Sequence, residues 1–487
     1  MVFSSVVFVF FFLPAVLIAH TLLPARARNL FLLAVSVVFY AWGEVRFLWV
    51  MFASSLTDYF AGLVIGWEYE RIEAAGGDRK RKTSLQKVAL AVSLAVNLGL
   101  LCYFKYAGFF VENATALAQR MGLGDWLPAS TLRIALPLGI SFYTFQSLSY
   151  TIDVYRGSIR FTRSVVDFLC FVTLVPQLVA GPIVRYRDLA AELVRRTVSL
   201  GKFAEGVRHF IIGLGKKMLI ANTVAVAADK IFAIPGERLP ASVAWLGTLS
   251  FTFQLYYDFA GYSDMAIGLG LMLGFHFPQN FNYPYISRTM AEFWQRWHIT
   301  LSTWLRDYLF TPLGGYRHGR TRAYLNVMIT FLLCGFWHGA AWNFILFGAI
   351  CGGCIVFERV VQANRLSFFR TYAGCVFYLM PIVLFTMVVF RSDNLHACVL
   401  HWKAMLGLNG DVGDLYSVRL LADGELVFVM LAAAAGSVPL VPWLGRKLNG
   451  LPRLQPIGAL AWCVAILVLC AMKLAAGTYN PFIYFRF

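Results

Sequence analysis

His338 is an ionisable side chain in the middle of a long apolar stretch. It lies in Thr330-Phe-Leu-Leu-Cys-Gly-Phe-Trp-His-Gly-Ala-Ala-Trp-Asn343, and no formally charged residue occurs from Leu325 to Phe357. An unpartnered polar group is costly in lipid, so such a residue indicates a functional site unless it bonds a neighbouring helix for packing. An imidazole can take up a proton near neutral pH, which suits a general base.

A second histidine, His298, lies in the most polar and aromatic part of the chain, residues 276–323. Thr289 and Glu292 have the capping-box spacing that predicts a helix start. Apolar and aromatic residues then recur at helical spacing from Met290 to Tyr308; Trp297 belongs to this face, His298 lies at its margin, and Arg306 is on another side. The pattern fits either an amphipathic helix at the cytoplasmic interface or one that lines a funnel for an anionic donor.

Polar residues also interrupt the apolar stretch from 241 to 275. They would either line a pore and orient substrate, or hold neighbouring helices together by hydrogen bonds; they are Asp258, Tyr262, Ser263 and Asp264. Further candidates of the same kind are Asn280, Asn282 and Tyr285.

The nine cysteines are scattered through apolar segments. Cys351 and Cys354 have CxxC spacing but no second pair, so neither a metal site nor redox work is expected. Cys334 precedes His338 by four residues and would share its helix face, which leaves a Cys–His acyl-enzyme as an alternative mechanism.

The elements that must position these residues are membrane helices. Of the 487 residues, 59% are hydrophobic and only 14% are charged, whereas a soluble domain carries roughly 25%. Apolar runs of about 18 or more residues recur, and such spans must be helical because lipid cannot satisfy backbone groups. The net charge of +17 is attributed to cytoplasmic loops rather than to nucleic-acid binding.

We therefore expect an all-α polytopic protein with about ten to twelve membrane segments. It would form one domain over 1–487, with a core at 134–360 and peripheral helices at 1–133 and 361–487. Basic loops at 24–29 and 67–87 predict that these loops are cytoplasmic and that the N-terminus is outside.

Four segments carry more specific predictions. Segment 88–104 would exit the membrane and be followed, within 105–133, by an amphipathic stretch at the outer interface. Val166–Val184, flanked by arginines and containing two prolines, would be a re-entrant or broken helix, or else an ordinary crossing. Residues 324–337 would rise only about 21 Å against a hydrocarbon core of about 30 Å, holding His338 inside the bilayer. A single crossing is expected near 426–444.

Three strings resemble the membrane-bound O-acyltransferase family, and especially its bacterial branch for polysaccharide O-acetylation. They are Tyr257-Asp-Phe-Ala-Gly-Tyr-Ser-Asp-Met-Ala-Ile-Gly-Leu-Gly270, Phe293-Trp-Gln-Arg-Trp-His-Ile-Thr-Leu-Ser-Thr-Trp-Leu-Arg-Asp-Tyr308 and Phe336-Trp-His-Gly-Ala-Ala-Trp342. Weaker matches lie at 1–5, 136–145, 179–184 and 480–487, so the resemblance covers nearly the whole chain.

The resemblance implies a helical bundle with a central pore or funnel. His338 would be the intramembrane catalytic histidine, and His298 a second histidine nearer the cytoplasmic donor entrance. The residues expected to contact substrate are Asp258, Tyr262, Asp264, Asn282, Trp297 and Arg306. The family takes an acyl group from a cytoplasmic thioester, here acetyl-CoA or an acyl carrier protein, and moves it to a hydroxyl; no bound cofactor or metal is implied.

The implied function is O-acetylation of an exported glycan such as alginate or peptidoglycan, in the bacterial inner membrane. A separate periplasmic or extracellular O-acetyltransferase is an expected partner, together with membrane lipid and without nucleic acid. Transfer of D-alanine from a carrier protein is the alternative within the family. A secondary transporter is the alternative of another class; a broken helix and buried ionisable residues suit it, but the sequence contains no inverted repeat.

Overall fold

The computed structural model describes residues 2–78, 80–123, 134–179, 181–410, 416–448, 454–477 and 479–481. Every regular element in these ranges is a helix, which confirms the all-α prediction. The expected amphipathic stretch beyond residue 123, part of the string 179–184 and most of the terminal string 480–487 lie outside the described residues.

The helices follow one another in chain order, with short connections. They are α1 (Phe8–Leu22), α2 (Ala25–Glu44), α3 (Leu48–Ala74), α4 (Ser84–Arg120), α5 (Ile140–Arg156), α6 (Val165–Thr173), α7 (Val175–Leu178), α8 (Tyr186–Val194), α9 (Leu200–Phe232), α10 (Ala241–Leu273), α11 (Met290–Arg296), α12 (Ile299–Leu305), α13 (Arg320–His338), α14 (Trp342–Val360), α15 (Ser367–Arg370), α16 (Tyr372–Arg391), α17 (Leu395–Met405), α18 (Val418–Leu421), α19 (Gly424–Gly436), α20 (Leu440–Leu448) and α21 (Leu454–Ala475).

Six of the described helices are long and apolar enough to cross a membrane: α3, α4, α9, α14, α16 and the Pro456–Ala475 part of α21. The number rises to seven if the bent pair α19 and α20 forms one span. This confirms a polytopic membrane protein but is fewer than the ten to twelve segments predicted. Helices α2, α10 and α13 have 20, 33 and 19 residues, so they too reach about 28 Å or more, but they carry more polar side chains.

The chain divides into two compact units. Unit 1 contains, among the described residues, Val2, Val7–Glu205 and Leu269–Pro278. In its interior, Asp58 of α3 accepts hydrogen bonds from Asn97 Nδ2 (2.9 Å) and from the Ser93 hydroxyl, both on α4. Such side-chain bonds hold helices together where lipid offers no partner.

Helix breakage within 165–194 confirms one of the two alternatives for that segment. The chain leaves helical geometry at Leu174, so α6 and α7 have only nine and four residues and neither can span a bilayer. The connecting backbone beyond α7 is buried, with Ile183 and Val184 at most 1% exposed. Non-helical backbone at such a place requires burial in protein.

Unit 2 contains, among the described residues, Phe3–Val6, Gly206–Gly268 and those that follow from Gln279 to Pro481. Its helices approach one another closely at positions that are occupied by glycine. A Cβ atom at Gly213 of α9 would lie 2.5 Å from the Gly261 carbonyl oxygen of α10, and a Cβ atom at Gly335 of α13 would lie 2.1 Å from the Phe344 carbonyl oxygen of α14. Small residues allow this packing between membrane helices.

In unit 2 one predicted boundary is wrong, and one predicted crossing is bent. Helix α13 begins at Arg320 and rises about 28 Å, so it is not the short helix expected from 324–337. The crossing predicted at 426–444 is instead broken into α19 and α20, which meet at an angle of 68°. Pro439 lies between them and has no amide hydrogen with which to continue the first helix.

Candidate functional site

His338 is the last residue of α13 and is buried, with 4% of its surface exposed. Aromatic rings surround its imidazole: the ring centroids of Trp337, Phe390 and Phe347 lie 4.9, 5.3 and 6.0 Å away. These rings come from α13, α16 and α14. The hairpin of α13 and α14 therefore places the imidazole in an apolar pocket closed by α16.

His298 does not lie on a continuous helix, contrary to the prediction for 290–308. Helix α11 ends at Arg296, α12 begins at Ile299, and His298 between them has a φ of 43° in the left-handed region. The break is stabilised from outside the helix: Ile299 N donates to Asn280 O (2.9 Å), and Asn282 N donates to Arg296 O (2.9 Å). The chain at 280–282 thus replaces helical hydrogen bonds, and the His298 side chain is fully buried.

Hydrogen bonds at both ends of the Asn280 side-chain amide fix its orientation, with the oxygen towards His298. Asn280 Oδ1 accepts from Thr300 Oγ1 (2.9 Å) and Thr300 N (3.3 Å), while Asn280 Nδ2 donates to Ser263 Oγ (3.0 Å). His298 Nδ1 lies 3.1 Å from the same oxygen. Because an amide oxygen can only accept, Nδ1 carries the proton.

The tautomer determines what His298 can do. In a neutral imidazole with its proton on Nδ1, Nε2 is an acceptor. His298 Nε2 has no hydrogen-bond partner among the described residues and is buried. Burial without an acidic partner disfavours the protonated ring. The site therefore holds an available, unprotonated nitrogen in an apolar environment.

The indole of Trp337 lies next to both histidines. Its ring centroid is 6.2 Å from that of His298 and 4.9 Å from that of His338. The ring of Phe259 lies nearly perpendicular to that of His298, with the two ring centroids 4.6 Å apart. The structure therefore brings the two predicted histidines into one aromatic site, although 40 residues separate them in the sequence.

The predicted polar residues of α10 have other partners. Asp258 pairs with Lys217 (2.7 Å) and Asp264 pairs with Lys216 (2.6 Å), both on α9. Tyr262 stacks on Phe3 with ring centroids 4.5 Å apart. These contacts support the alternative in which the three residues hold neighbouring helices together. The residue of α10 that is linked to His298, through Asn280, is Ser263.

The remaining candidates differ in burial. Trp297 is buried in an aromatic cluster, 5.1 Å from Phe281 and 5.5 Å from Phe293. Asn282 is exposed, and its carbonyl oxygen accepts from Arg296. Arg306 pairs with Asp307 at 2.8 Å and has 61% of its side chain exposed. Trp297 thus packs among buried aromatic rings, whereas Asn282 and Arg306 lie at the surface.

Asn280 and Trp337 are the residues whose importance the sequence did not show. Asn280 was only one of several further candidates, and nothing in the spacing relates it to a histidine 18 positions later. Its role depends on the break at His298, which a periodic aromatic pattern conceals. For metals, no three His, Cys, Asp or Glu side chains among the described residues lie together as a possible binding group.

The fold and the site define a many-helix membrane protein with a buried pair of histidines beside one indole ring. A family model for membrane-bound O-acyltransferases matches residues 37–394. The chain belongs to this family and is an O-acyltransferase.

The similar proteins include two probable alginate O-acetylases and a peptidoglycan O-acetyltransferase. The chain is 42% identical to the probable alginate O-acetylase AlgI of Azotobacter vinelandii and 40% identical to that of Pseudomonas aeruginosa, with all of both chains covered. It is 33% identical to the peptidoglycan O-acetyltransferase of Helicobacter pylori, over 84% of this chain and 80% of that one.

Proposed function

We propose that this protein is a membrane O-acetyltransferase that serves O-acetylation of an exported cell-envelope polysaccharide. The names of the relatives support the polysaccharide, and their full-length similarity supports the acetyl group. The observation that carries the chemistry is the buried pair His298 and His338 beside Trp337. Together these favour transfer within the protein interior, away from water that would hydrolyse the donor.

His338 is proposed as the general base. It removes the proton of the acceptor hydroxyl, the oxygen attacks the thioester carbonyl carbon, the C–O bond of the ester forms and the C–S bond breaks. The proton then passes from the imidazole to the departing thiolate. Such acid–base catalysis contributes typically about 10²- to 10⁴-fold in rate.

His298 is proposed to position the donor. The sequence left two roles open, positioning and polarisation of the thioester. The hydrogen bond from Nδ1 to Asn280 leaves Nε2 without a proton. Nε2 therefore cannot donate a hydrogen bond to the thioester carbonyl oxygen, but it can accept one from an N–H or O–H group of the donor molecule. This supports positioning rather than polarisation.

The donor, the orientation and the partners are also part of the proposal. Acetyl-CoA or an acetylated carrier protein approaches from the cytoplasm, where the basic loops lie, and the N-terminus is outside in an inner membrane. A separate periplasmic or extracellular transferase completes delivery to the polymer. Reporter fusions at residue 1 and within 75–82 that gave the opposite sidedness would reject this orientation.

The test is acetyl transfer by purified protein in nanodiscs with radiolabelled acetyl-CoA. The His338→Ala variant should lose at least about a hundredfold in rate while keeping its thermal unfolding temperature, since it removes a base from an intact pocket. The matched variant Cys334→Ser, one helical turn earlier, should keep its activity. A fully active His338→Ala protein contradicts the proposal, and an inactive but folded Cys334→Ser protein favours the acyl-enzyme alternative.

D-alanine transfer is the second candidate. Its support is a 30% identity to the teichoic acid D-alanyltransferase of Streptococcus thermophilus, over 47% of this chain and 58% of that one. The same assay with a D-alanyl carrier protein as donor separates the two: faster transfer from that donor than from acetyl-CoA would reverse the preference. Vesicle uptake of label without transfer to a hydroxyl would instead indicate a transporter.

A further inference from the structure

A basic cavity of about 690 Å³ opens within unit 2, apart from the aromatic pocket of the two histidines. It is bounded by the first turns of α11 and α13, by the last turn of α14 and by the chain that follows α14. Three arginines from different elements line it: Arg320, Arg359 and Arg365. Its volume is within the range of pockets that hold small molecules.

The positive charge in the basic cavity is largely uncompensated. Arg320 and Arg365 are exposed and have no ion pair among the described residues. Arg359 lies 3.9 Å above the ring of Tyr316 and donates to its hydroxyl, so its guanidinium is held in place. An ordered guanidinium beside two available ones is an arrangement that favours a multivalent anion.

One acid, Glu358, is among the described lining residues, and its carboxylate is already engaged. It accepts from Ala291 N (3.0 Å), from the Tyr378 hydroxyl (3.1 Å) and from Met290 N. These bonds cap the start of α11. Glu358 is therefore bound to the helix end; it attracts the neighbouring Arg359 but forms no ion pair with any of the three arginines among the described residues.

The N-terminus of α13 adds to the positive electrostatic potential in the basic cavity. Gly319 and Arg320 line the cavity, and no side chain caps this 19-residue helix at its N-terminus. The partial positive charge of a helix N-terminus attracts phosphate and other anions. Here it supplements the arginines, which carry the full charges.

We infer that the basic cavity is a binding site for a phosphate or diphosphate group. The planar forks of arginine match phosphate oxygens, and the volume accommodates a nucleotide-sized ligand. The group can be carried by a soluble coenzyme of nucleotide type or by the headgroup of an anionic lipid. This binding requires neither histidine, so it can be tested apart from the proposed transfer reaction.

The experiment uses two probes on full-length protein in nanodiscs. Adenosine 3′,5′-bisphosphate binding is measured by calorimetry in discs of neutral phosphatidylcholine. Phosphatidylglycerol retention is measured by native mass spectrometry after mixed-lipid discs are exchanged. The variant is Arg320→Gln with Arg365→Gln, and the control is Arg322→Gln, an exposed arginine on the same helix that does not line the cavity.

The double variant should weaken one of the two probes by about tenfold or more, as expected for lost charge-assisted hydrogen bonds, whereas the control should leave both unchanged. Loss of the bisphosphate identifies a soluble ligand, and loss of phosphatidylglycerol identifies a lipid. Unchanged binding of both probes, or an equal effect of Arg322→Gln, overturns the inference. The His338→Ala protein should bind as the unmodified one does, so a failure of the proposed transfer function would leave this result intact.

Discussion

At the residue scale, the chemistry of His298 depends on atoms outside its own segment. The Ser263–Asn280–Thr300 hydrogen bonds orient the amide, and the amide selects the imidazole tautomer. Neighbouring groups that orient a reactive imidazole are part of how such residues work. His338 was identifiable from the sequence because ionisable residues are rare in apolar surroundings, and His298 was identifiable because its string, Phe293–Tyr308, resembles the family. Asn280 was not, because amide orientation is a property of the folded contacts.

Replacement of Asn280 tests the tautomer directly. Asn280→Leu removes the acceptor at Nδ1 and should lower the transfer rate by roughly 10- to 100-fold, because a buried donor left without its partner costs about 1–3 kcal/mol and each 1.4 kcal/mol is about tenfold in rate. Asn280→Asp keeps an acceptor and should retain more activity than the leucine variant. Rates are measured in the acetyl-transfer assay, with thermal unfolding as the check on folding.

The pH profile separates positioning from mere packing. A carboxylate at position 280 stabilises protonated His298, so the acid limb of the rate profile should move to higher pH in Asn280→Asp. A purely structural residue would change the rate without moving this limb. Identical profiles for the unmodified protein and Asn280→Asp would reject the role assigned to this amide.

At the element scale, the site depends on a break and a hairpin. The break between α11 and α12 turns His298 inward, and the α13–α14 hairpin carries His338 at its closed end. The sequence indicated the start of α11 correctly, since Thr289 caps it by accepting from Glu292 N (3.1 Å). The end of α11 could not be predicted, because the bonds that replace the helix come from residues 280 and 282.

The hairpin can be tested with two glycines of α14. A Cβ atom at Gly348 would lie 2.2 Å from the Phe331 carbonyl oxygen of α13, whereas one at Gly353 would meet no atom within 4 Å. Gly348→Ala should therefore destabilise the protein by about 1–3 kcal/mol and lower the transfer rate by displacing His338. Gly353→Ala should be neutral or slightly stabilising, since alanine favours the helix.

For Gly348→Ala and Gly353→Ala, stability is measured by thermal unfolding in detergent, and activity by initial transfer rates. Equal unfolding temperatures for Gly348→Ala and Gly353→Ala would show that the close approach of α13 and α14 does not matter. A destabilised Gly348→Ala protein with an unchanged transfer rate would show that the hairpin stabilises the fold without positioning His338.

At the scale of the whole molecule, composition was enough to predict a helical polytopic protein, but not where each helix ends. The predicted exit near residue 104 is an example: α4 continues to Arg120 through Lys105. Lys105 Nζ donates to Ser141 Oγ of α5 at 3.2 Å, a partner 36 residues away. A charged residue can thus stay inside a helix when a distant element supplies its partner, which local hydropathy does not show.

Two strings that match the family lie at opposite ends of the chain, and the structure joins them. Asn480 Nδ2 donates to Ser4 O (2.9 Å) and to Ser4 Oγ (3.2 Å), and Asn480 Oδ1 accepts from Asn222 Nδ2 (3.2 Å). Lys217, the partner of Asp258, also donates to Pro481 O. The chain ends are therefore tied to the buried ion pair between α9 and α10.

A double-mutant cycle measures this tie. Ser4→Ala and Asn480→Ala should each destabilise the protein by about 1 kcal/mol, and their combination should cost less than the sum by about 0.5–1 kcal/mol, because either change removes the hydrogen bonds made through the Ser4 hydroxyl. The bond from Asn480 Nδ2 to the Ser4 carbonyl oxygen is lost only in Asn480→Ala. Unfolding free energies are measured by denaturant titration in mixed micelles. The control cycle pairs Ser4→Ala with Asn409→Ala, whose amide bonds instead to Gly236 O (2.7 Å), and should be additive. Additivity in both cycles would mean that Ser4 and Asn480 stabilise the protein independently, and would contradict the tie between the two segments.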